Sequence, residues 1–316
     1  MASKGPLLIR LCNWVGEAVL TLPTLQLLAE QGYELHLVGK RWAVSLFEGH
    51  GWPVHVRPGK RKEAIAQLKA LRIQLEQQSP GFRARPNMLL FTNSISSAME
   101  ARLAGLKPIG YKREGRGFLL AHGVPDRRGP HAADEYWRIA THFLGLSRTR
   151  PSALGLTLSR AHEEEARQLM ATHEIEPGFV MLCPFSGADD GTGAKVWPGF
   201  PALAEALAAQ GRQLIICPGP GEEERARAGF PQAKVLTSVG LGAYAALARQ
   251  AIGVVANDTG PGHLAAAAGA RVISVLGPEA LPSWHVVGPC NTILHQAEGW
   301  PSLTQVVQAV QGAPSA

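Results

Sequence analysis

Runs of β-favouring residues alternate with helical patterns along this chain, and that alternation restricts the fold more than any other feature. The first half contains the strand-like runs PLLIRLC, YELHLVGK, WPVHVR and NMLLF, with helical patterns near residues 17–31, 41–49, 60–78 and 94–105. A parallel pair of strands needs a crossover connection, usually a helix, so this alternation predicts parallel βαβ units. The first half is therefore expected to form a doubly wound α/β sheet.

The same rhythm begins again after the segment RTRPSAL, with strand-like runs GFVMLCP, RQLIICPG, AKVLT, GVVAN and RVISVLG. A chain of 316 residues suits two domains of roughly 150 residues each. We expect two Rossmann-like domains, residues 1–150 and 151–316, that face a central cleft. The last helical pattern, 302–311, either stays with the second domain or crosses back to the first. In such folds ligands bind at the carboxyl ends of the strands.

Composition excludes several classes of protein. With 46% hydrophobic and 18% charged residues, the chain is typical of a packed globular protein. Its four cysteines have no CxxC spacing and are expected to be buried free thiols in a reducing compartment. No metal-ligand spacing occurs among the histidines, so no metal is expected. Because no run of about 18 apolar residues is present, we expect a cytoplasmic protein.

The net charge of +6 favours an anionic partner. Nucleic acid is disfavoured, because only 6% of residues are aromatic and no RNA-binding signature is visible. A dinucleotide oxidoreductase is also disfavoured, since the first strand is not followed by GxGxxG. The stretch GADDGTGAK lacks the Gly-Lys-Ser/Thr ending of a P-loop and does not predict a Walker ATPase.

One polar turn, NDTGPGH at residues 257–263, separates the apolar run GVVA from an alanine-rich helical pattern. A strand that enters a helix through such a turn directs unpaired N–H groups and the positive end of the helix dipole at one point. This arrangement favours a phosphate, so the turn predicts a nucleotide or sugar-phosphate site. His263, in the first helical turn, is expected either to contact the sugar or to pack in the interior. Asp258 could instead be only an N-cap.

Two further polar turns follow strands of the second half, PFSGADDGTGAKVWP after VMLC and PGPGEEERA after LIIC. Together with NDTGPGH they are expected to line one edge of one sheet. Ser186 and nearby backbone N–H groups, Gly187 included, could donate to a diphosphate that Lys195 neutralises. Glu222 or Glu223 could accept from ribose hydroxyls. The alternatives are a solvated lysine and acids that only complement a helix dipole.

The first half has its own polar turn, RLCNWVGEAVLTLP. Glu17 follows the first strand and is expected to face the cleft from the side opposite the nucleotide. On spacing alone it could equally be a carboxylate that complements the helix dipole. Trp14 beside it is either a core residue or the wall of a sugar site.

These motifs resemble those of glycosyltransferase family 9, the ADP-heptose:lipopolysaccharide heptosyltransferases. LLIRLCNWVGEAVLTLPTLQLL is similar to the opening of that family, NDTGPGHLAAAAGARVISVLGP to its donor motif, and GAKVWPGFPALAEAL to its Lys-x-Trp-Pro segment. FTNSISSAMEARLAGLKPIGYKREGRGFLLAHGV is similar to the middle of heptosyltransferase II proteins. The resemblance implies a GT-B fold and an inverting, metal-independent transfer of heptose from ADP-heptose to the inner core of lipopolysaccharide, with no cofactor.

By position, the resemblance implies that Lys195 binds the donor phosphates and that Asp258, Thr259 and Gly260 contact heptose and diphosphate. The acidic turn at Glu222 and Glu223 would lie near the nucleoside. The general base should be Glu17, but the family usually has Asp at this position. One extra methylene moves the carboxylate by roughly 1 Å, which matters for the geometry of attack. Either the acceptor lies farther back, or the base is elsewhere, or the enzyme is slow.

The acceptor and its membrane are the remaining expected partners. Candidate acceptor-binding residues are Trp14, Asn93, Lys112, Arg113 and Arg116. A lipid-linked acceptor predicts peripheral association with the cytoplasmic face of the inner membrane. The cations expected to face anionic lipid are Arg83, Arg85, Lys107, Lys112, Arg113 and Arg116.

Three alternatives remain at the level of sequence. The chain could transfer a different sugar, because a donor pocket fixes a diphosphate more securely than a sugar. It could be a sugar-nucleotide epimerase, for which a first-half acid is also suitable. Finally, it could be a weakly catalytic or inactive sugar-nucleotide-binding protein, for which the substitution at Glu17 is the best support.

Overall fold

A computed structural model describes residues 3–186 and 196–312 of the chain. The chain divides into two compact units, Met1–Pro151 and Ser152–Ala316. Each unit is built on a parallel six-stranded sheet. The expected α/β fold with two Rossmann-like domains is therefore confirmed.

The first unit follows the predicted alternation. Its elements are β1 (Gly5–Arg10), α1 (Val15–Leu20), α2 (Leu22–Glu30), β2 (Tyr33–Gly39), α3 (Trp42–Leu46), β3 (Val54–Val56), α4 (Arg61–Gln78), β4 (Met88–Leu90), α5 (Ile95–Leu103), β5 (Pro108–Tyr111), β6 (His122–Val124) and α6 (Ala132–Leu144). The sheet order is β3-β2-β1-β4-β5-β6, so β1 and β4 lie at the centre. This is the order of a doubly wound sheet, with ligands expected at the carboxyl ends of the central strands.

The second unit repeats this design. Its elements are α7 (Arg160–Thr172), β7 (Val180–Cys183), α8 (Phe200–Ala209), β8 (Leu214–Ile216), α9 (Glu223–Gly229), β9 (Ala233–Val235), α10 (Leu241–Gln250), β10 (Gly253–Ala256), α11 (Gly260–Ala267), β11 (Val272–Leu276), β12 (Asn291–His295) and α12 (Leu303–Gln311). Its sheet order is β12-β11-β10-β7-β8-β9. The central strands β7 and β10 are buried along their whole length.

The first helical pattern forms two helices rather than one. The hydroxyl of Thr21 donates to the carbonyl of Ala18 at 2.6 Å, and Pro23, at the second position of α2, has no N–H to continue the ladder. Three short strands, β5, β6 and β12, were not predicted. The segment Pro108–Tyr111 contains proline and glycine, which are rare in strands, and its burial comes from neighbours that are distant in sequence.

Each unit has its own hydrophobic core. In α4 the buried positions Ala64, Leu68, Leu71 and Leu75 recur at helical spacing, and three of them pack against the sheet with Leu8 and other apolar residues. The last helix, α12, belongs to the second unit. Its Val306 and Val310 enter that core, and α12 packs against α8 and β11.

No helix in residues 3–186 and 196–312 combines the length and the apolarity that crossing a membrane requires.

Gly242 in α10 tests the close packing of α10 against α7. A Cβ there would lie 2.2 Å from Cδ2 of His162, whose ring is held in a capping box with Ser159. We expect Gly242→Ala to destabilise the fold by about 1–3 kcal/mol, because the ring cannot move without breaking the cap. Alanine is normally more favourable than glycine inside a helix, so the expected change is opposite in sign to the effect of helix propensity. Urea unfolding measures the change.

Gly229 is the matched control, because a Cβ on this helical glycine would meet no heavy atom within 4 Å. Gly229→Ala should change the free energy of unfolding by no more than about 0.5 kcal/mol. Equal effects of the two substitutions would contradict the packing argument.

Candidate functional site

Three polar turns meet at the carboxyl edge of the second sheet. They follow β10, β7 and β8, which are neighbours in the order β10-β7-β8. Because these strands are parallel, their carboxyl ends lie at one edge. The sheet order therefore brings together the turns that the sequence predicted to be adjacent.

Asn257 connects two of these turns. It is fully buried, and its Oδ1 accepts from the backbone N–H of Trp197 at 2.9 Å. Its Nδ2 donates to the carbonyls of Cys183 at 3.4 Å and Pro184 at 3.3 Å. One side chain thus holds the segment that leaves β7 and the backbone of Trp197, one residue after the described chain resumes. The sequence predicts no role for Asn257, although this residue is the first of the motif NDTGPGH.

Helix α11 begins at Gly260 with its positive end open. Its N-cap, Thr259, makes no side-chain hydrogen bond to the first turn, and that turn contains no acidic residue. Among the described residues, no side chain of the cap or of the first turn is bonded to the first N–H groups, which suits an anion. Gly262 lets the helix pack closely, since a Cβ there would lie 3.1 Å from Cβ of Ala256.

Asp258 and His263 form a polar pair beside this helix end. Nε2 of His263 lies 3.5 Å from Oδ1 of Asp258. The imidazole is buried, and its Nδ1 has no hydrogen-bond partner among the described residues. His285 lies nearby, and burial lowers its pKa while the charge of Asp258 raises it. The partly exposed carboxylate of Asp258 is therefore accessible to a ligand at the turn, while the imidazole lies buried behind it.

The acidic turn after β8 is stabilised by its own side chains. Oε2 of Glu222 accepts from the N–H of Gly219 at 2.7 Å, and Oε2 of Glu223 accepts from the N–H of Gly221 at 2.8 Å. Glu222 is the N-cap of α9, and Glu223 is in its first turn. Both acids therefore serve the local structure, and each has a second oxygen with which a ribose hydroxyl could hydrogen bond.

The turn after β7 is described only as far as Ser186, which is buried. Gly187 and Lys195, both predicted to bind the donor, lie outside the described residues. Trp197 is the second described residue after that stretch, and its indole Nε1 donates to the carbonyl of Pro301 at 3.0 Å.

Glu17 lies at the carboxyl edge of the first sheet, in the first turn of α1. It is half-buried, and burial raises the pKa of its carboxyl group while a hydrogen bond with the Cys12 thiol lowers it. Sγ of Cys12 lies in turn 3.4 Å from the hydroxyl oxygen of Tyr136 in α6. Cys12 thus interacts with both Glu17 and Tyr136. The sequence predicts only a buried free thiol at Cys12, and no local signal connects Tyr136 to this turn.

The turn that presents Glu17 is fixed by Arg10 at the end of β1. This buried guanidinium donates to the carbonyl of Leu11 at 2.7 Å and to Oδ1 of Asn13 at 3.1 Å. Burial lowers its pKa to about 10, so it is charged at neutral pH. Trp14, next along the turn, is 64% exposed, with the ammonium group of Lys40 5.4 Å from its ring centre. Trp14 is therefore available to a ligand rather than part of the core.

Turns that carry predicted acceptor residues follow β4 and β5, next to β1 in the sheet. Asn93 follows β4 and is partly exposed, and Lys112 follows β5 and is exposed. Both therefore lie at the same sheet edge as Glu17.

Among the described residues, no three His, Cys, Asp or Glu side chains are grouped so that they could bind a metal ion.

A family model described as "Glycosyltransferase family 9 (heptosyltransferase)" matches residues 86–310. The chain belongs to glycosyltransferase family 9. The match includes all three turns of the second sheet, and the protein is a glycosyltransferase. No curated protein sequence matches the chain significantly.

Solved structures match this family 9 chain over nearly its whole length. A family 9 glycosyltransferase from Veillonella parvula has a TM-score of 0.83 at 17% identity, with 98% of this chain and 97% of that chain covered. E. coli ADP-heptose lps heptosyltransferase II has a TM-score of 0.78 at 17% identity, with 97% of each chain covered. E. coli heptosyltransferase WaaC, solved with ADP, has a TM-score of 0.72 at 19% identity, with 97% and 99% covered. These likenesses establish the GT-B fold.

Arg116 of this glycosyltransferase is not placed to bind an acceptor, contrary to the sequence prediction. Its side chain is fully buried, and its donors are used by the carbonyls of Tyr111 at 2.9 Å, Thr92 at 2.6 Å and Ser94 at 3.3 Å. Its Nη2 lies 3.4 Å from Oδ1 of Asn93. Arg116 therefore ties the turns after β4 and β5 together, and its effect on Asn93 is indirect.

Arg113 is likewise committed to the protein itself. Its Nη2 lies 2.8 Å from Oε2 of Glu135 and its Nε lies 2.5 Å from Oδ1 of Asp126. The guanidinium also lies over the ring of Tyr111, 4.5 Å from its centre. Because two carboxylates already neutralise this buried cation, the prediction that it binds acceptor phosphates is wrong.

The six cations predicted to face lipid do not share one surface. Arg113 and Arg116 are buried. Arg83 and Arg85 precede β4, and Lys107 precedes β5, so these three lie at the amino ends of the strands. Lys112 follows β5 and lies at the opposite edge, because the strands are parallel. The predicted cationic surface is therefore wrong.

The hydrogen bond between Cys12 and Glu17 can be tested directly. It favours the charged carboxylate, so Cys12→Ala should raise the pKa of Glu17 above its value in the native enzyme. Cys12→Ser keeps a donor at this position and should bring the pKa back toward the native value. NMR titration of glutamate labelled at the carboxyl carbon measures the pKa. A lower or unchanged pKa in Cys12→Ala would contradict the assignment.

Proposed function

We propose that this glycosyltransferase moves L-glycero-D-manno-heptose from ADP-heptose to the inner core of lipopolysaccharide, with inversion and without a metal ion. The observation that carries the proposal is the turn Asp258-Thr259-Gly260 at the open end of α11, beside two other polar turns. Such a site favours the diphosphate of a nucleotide sugar. Family 9 membership favours heptose as the sugar.

The donor is proposed to lie along the three turns of the second sheet. The N–H groups at the start of α11 and the hydroxyl of Ser186 would donate to the diphosphate, while Lys195 would supply a positive charge. Asp258 and His263 could then hydrogen bond with hydroxyls of the sugar. The free carboxylate oxygen of Glu222 is suited to the ribose. Fixed donors of this kind stabilise the negative charge that develops on a departing ADP.

Glu17 is proposed to be the general base. Its carboxylate would take the proton of an acceptor hydroxyl while that oxygen attacks the anomeric carbon and the bond to the β-phosphate oxygen breaks. Burial supports this role, because it raises the pKa of Glu17 and so makes the carboxylate a stronger base. Trp14, Asn93 and Lys112 would then contact the acceptor. A lipid-linked acceptor also implies peripheral association with the inner membrane.

A panel of sugar nucleotides tests the reaction. ADP release from ADP-heptose only in the presence of truncated lipopolysaccharide would support the proposal. Turnover of another sugar nucleotide with an acceptor would identify a different transferase. Epimerisation without an acceptor would indicate an epimerase, and tight binding without turnover would indicate a binding protein.

Glu17→Gln separates a catalytic role from a structural one. The amide keeps the size of the side chain but cannot accept a proton, so turnover should fall by about 10²- to 10⁴-fold with little change in donor affinity. Glu63→Gln is the matched control, since Glu63 is also a first-turn carboxylate of a helix in the first unit. Full turnover in Glu17→Gln, measured as ADP release, would defeat the mechanism and leave the donor site intact.

Lys195→Ala tests the donor site independently of catalysis. Loss of a charge-assisted contact should weaken ADP-heptose binding by about 1.5–3 kcal/mol. ADP binding should weaken similarly, because the contact is to the diphosphate. Arg212→Ala, an exposed cation before β8, should leave both affinities unchanged. Calorimetry measures all four values, and unchanged ADP affinity in Lys195→Ala would remove this lysine from the site.

A further inference from the structure

The two units carry opposite net charges. Residues 1–151 contain 22 Lys and Arg against 11 Asp and Glu, whereas residues 152–316 contain 9 against 14. The overall charge of +6 therefore conceals a strongly basic first unit and an acidic second unit. An anionic surface would attract the first unit and repel the second.

Helix α5 of the basic unit exposes an apolar stripe. Ile95, Met99 and Leu103 are 39%, 36% and 55% exposed and recur at every fourth position, so they share one side of the helix. Ala98 and Ala101 lie on the opposite side, buried in the core. The stripe is therefore a second apolar side that the described fold does not cover.

Phe118 is a further exposed apolar residue, carried by a short helical turn that contacts α5. It is 81% exposed, while its neighbours Leu119 and Leu120 pack against the core. The short helical turn that carries it, Arg116–Leu119, contacts α5 and is anchored by buried Arg116. The aromatic ring is thus held outside the protein by a fixed turn.

Cations border these apolar residues. Nη2 of Arg61 lies 2.9 Å from Sδ of Met99. Arg102 is an exposed residue of α5 itself. The stem of Lys112 lies against Gly117, the residue before Phe118, since a Cβ on Gly117 would lie 3.5 Å from Cγ of Lys112. The carboxylate of α5, Glu100, is buried and paired with Arg57 at 2.9 Å, and its Oε1 also lies 4.0 Å from Nε of Arg61, whose side chain is still half exposed.

We propose that this face, formed by Ile95, Met99, Leu103 and Phe118 with Arg61, Arg102 and Lys112, docks the enzyme on an anionic lipid bilayer. Apolar side chains next to arginine and lysine suit the boundary between acyl chains and lipid phosphates. The charge of the whole unit reinforces the choice of an anionic partner. The inference rests on the proposed function in one respect: an enzyme whose acceptor is lipid-linked must contact the bilayer. Ile95 and Phe118 follow β4 and β5, so the face begins at the sheet edge that carries Glu17.

Vesicle binding by the purified full chain tests the proposal. The protein should co-sediment with vesicles of phosphatidylcholine mixed with phosphatidylglycerol, much less with phosphatidylcholine alone, and less as salt rises. The double variant Leu103→Ser, Phe118→Ser should bind about tenfold more weakly or worse. Leu281→Ser is the matched control, an apolar residue that is 62% exposed in the acidic unit, and should bind like the native protein.

Charge reversal identifies the surface. Arg61→Glu with Arg102→Glu should abolish most binding to anionic vesicles. Arg83→Glu with Lys107→Glu changes the charge equally but at the amino edge of the sheet, and should have a smaller effect. Equal losses of vesicle binding in the two double variants would overturn the proposal, since the net charge of the unit would then be sufficient to explain the binding. Native-like melting temperatures establish that the variants are folded.

Two further results would overturn the assignment to a bilayer. Strong binding to neutral vesicles that salt does not weaken would exclude recognition of anionic lipid. Dimerisation in solution that Leu103→Ser with Phe118→Ser abolishes would assign the face to a second copy of the chain. Assays with a soluble, deacylated acceptor distinguish failure of membrane docking from failure of the proposed reaction. The serine variants should retain ADP release with it, and if the native protein releases none while vesicle binding behaves as expected, only the proposed reaction fails.

Discussion

Parallel strand pairing determines where the chemistry of this protein is located. In both sheets the described ladders run parallel, so the chain leaves neighbouring strands at one edge. Polar turns that lie far apart in sequence are thereby placed side by side: those after β10, β7 and β8 in one unit, and those after β1, β4 and β5 in the other. The sheet interiors are apolar, and the polar side chains that could bind a nucleotide sugar are left to these edges.

A buried polar side chain performs the same task in each unit. Asn257 holds the turn after β7 and the backbone of Trp197, while Arg116 holds the turns after β4 and β5. Both are fully buried. Loop backbone at a sheet edge has no ladder to satisfy its carbonyls, and an unsatisfied buried carbonyl is costly. These side chains donate hydrogen bonds to loop carbonyls that would otherwise lack them. They thereby fix the loops that carry the exposed residues at each sheet edge.

The sequence predicted most of the fold because periodicity is a local signal. Alternating apolar runs and the helical spacing in α4 identify elements without reference to distant neighbours. For the site, the sequence predicted the polar turns correctly but not the roles of individual cations. The motif NDTGPGH shows a polar turn directly, but a motif cannot distinguish a cation that binds a substrate from one that ties loops together. Arg113 and Arg116 were misassigned for that reason, since their partners Asp126, Glu135 and Thr92 become neighbours only in the folded chain.

Glu17 shows how a change at one position depends on distant residues. The longer side chain, where the family usually has aspartate, raised the question of how its carboxylate is held. In the structure the Cys12 thiol lowers the pKa of that carboxylate, and its Sγ lies 3.4 Å from the hydroxyl oxygen of Tyr136 in α6, more than a hundred residues away. Glutamate loses more rotamer freedom than aspartate on being fixed, so its carboxylate needs such support to be held in one position. The thiol, the phenol and the longer acid are therefore best understood as one unit, since the pKa of the carboxylate depends on a thiol that is itself held by a distant helix.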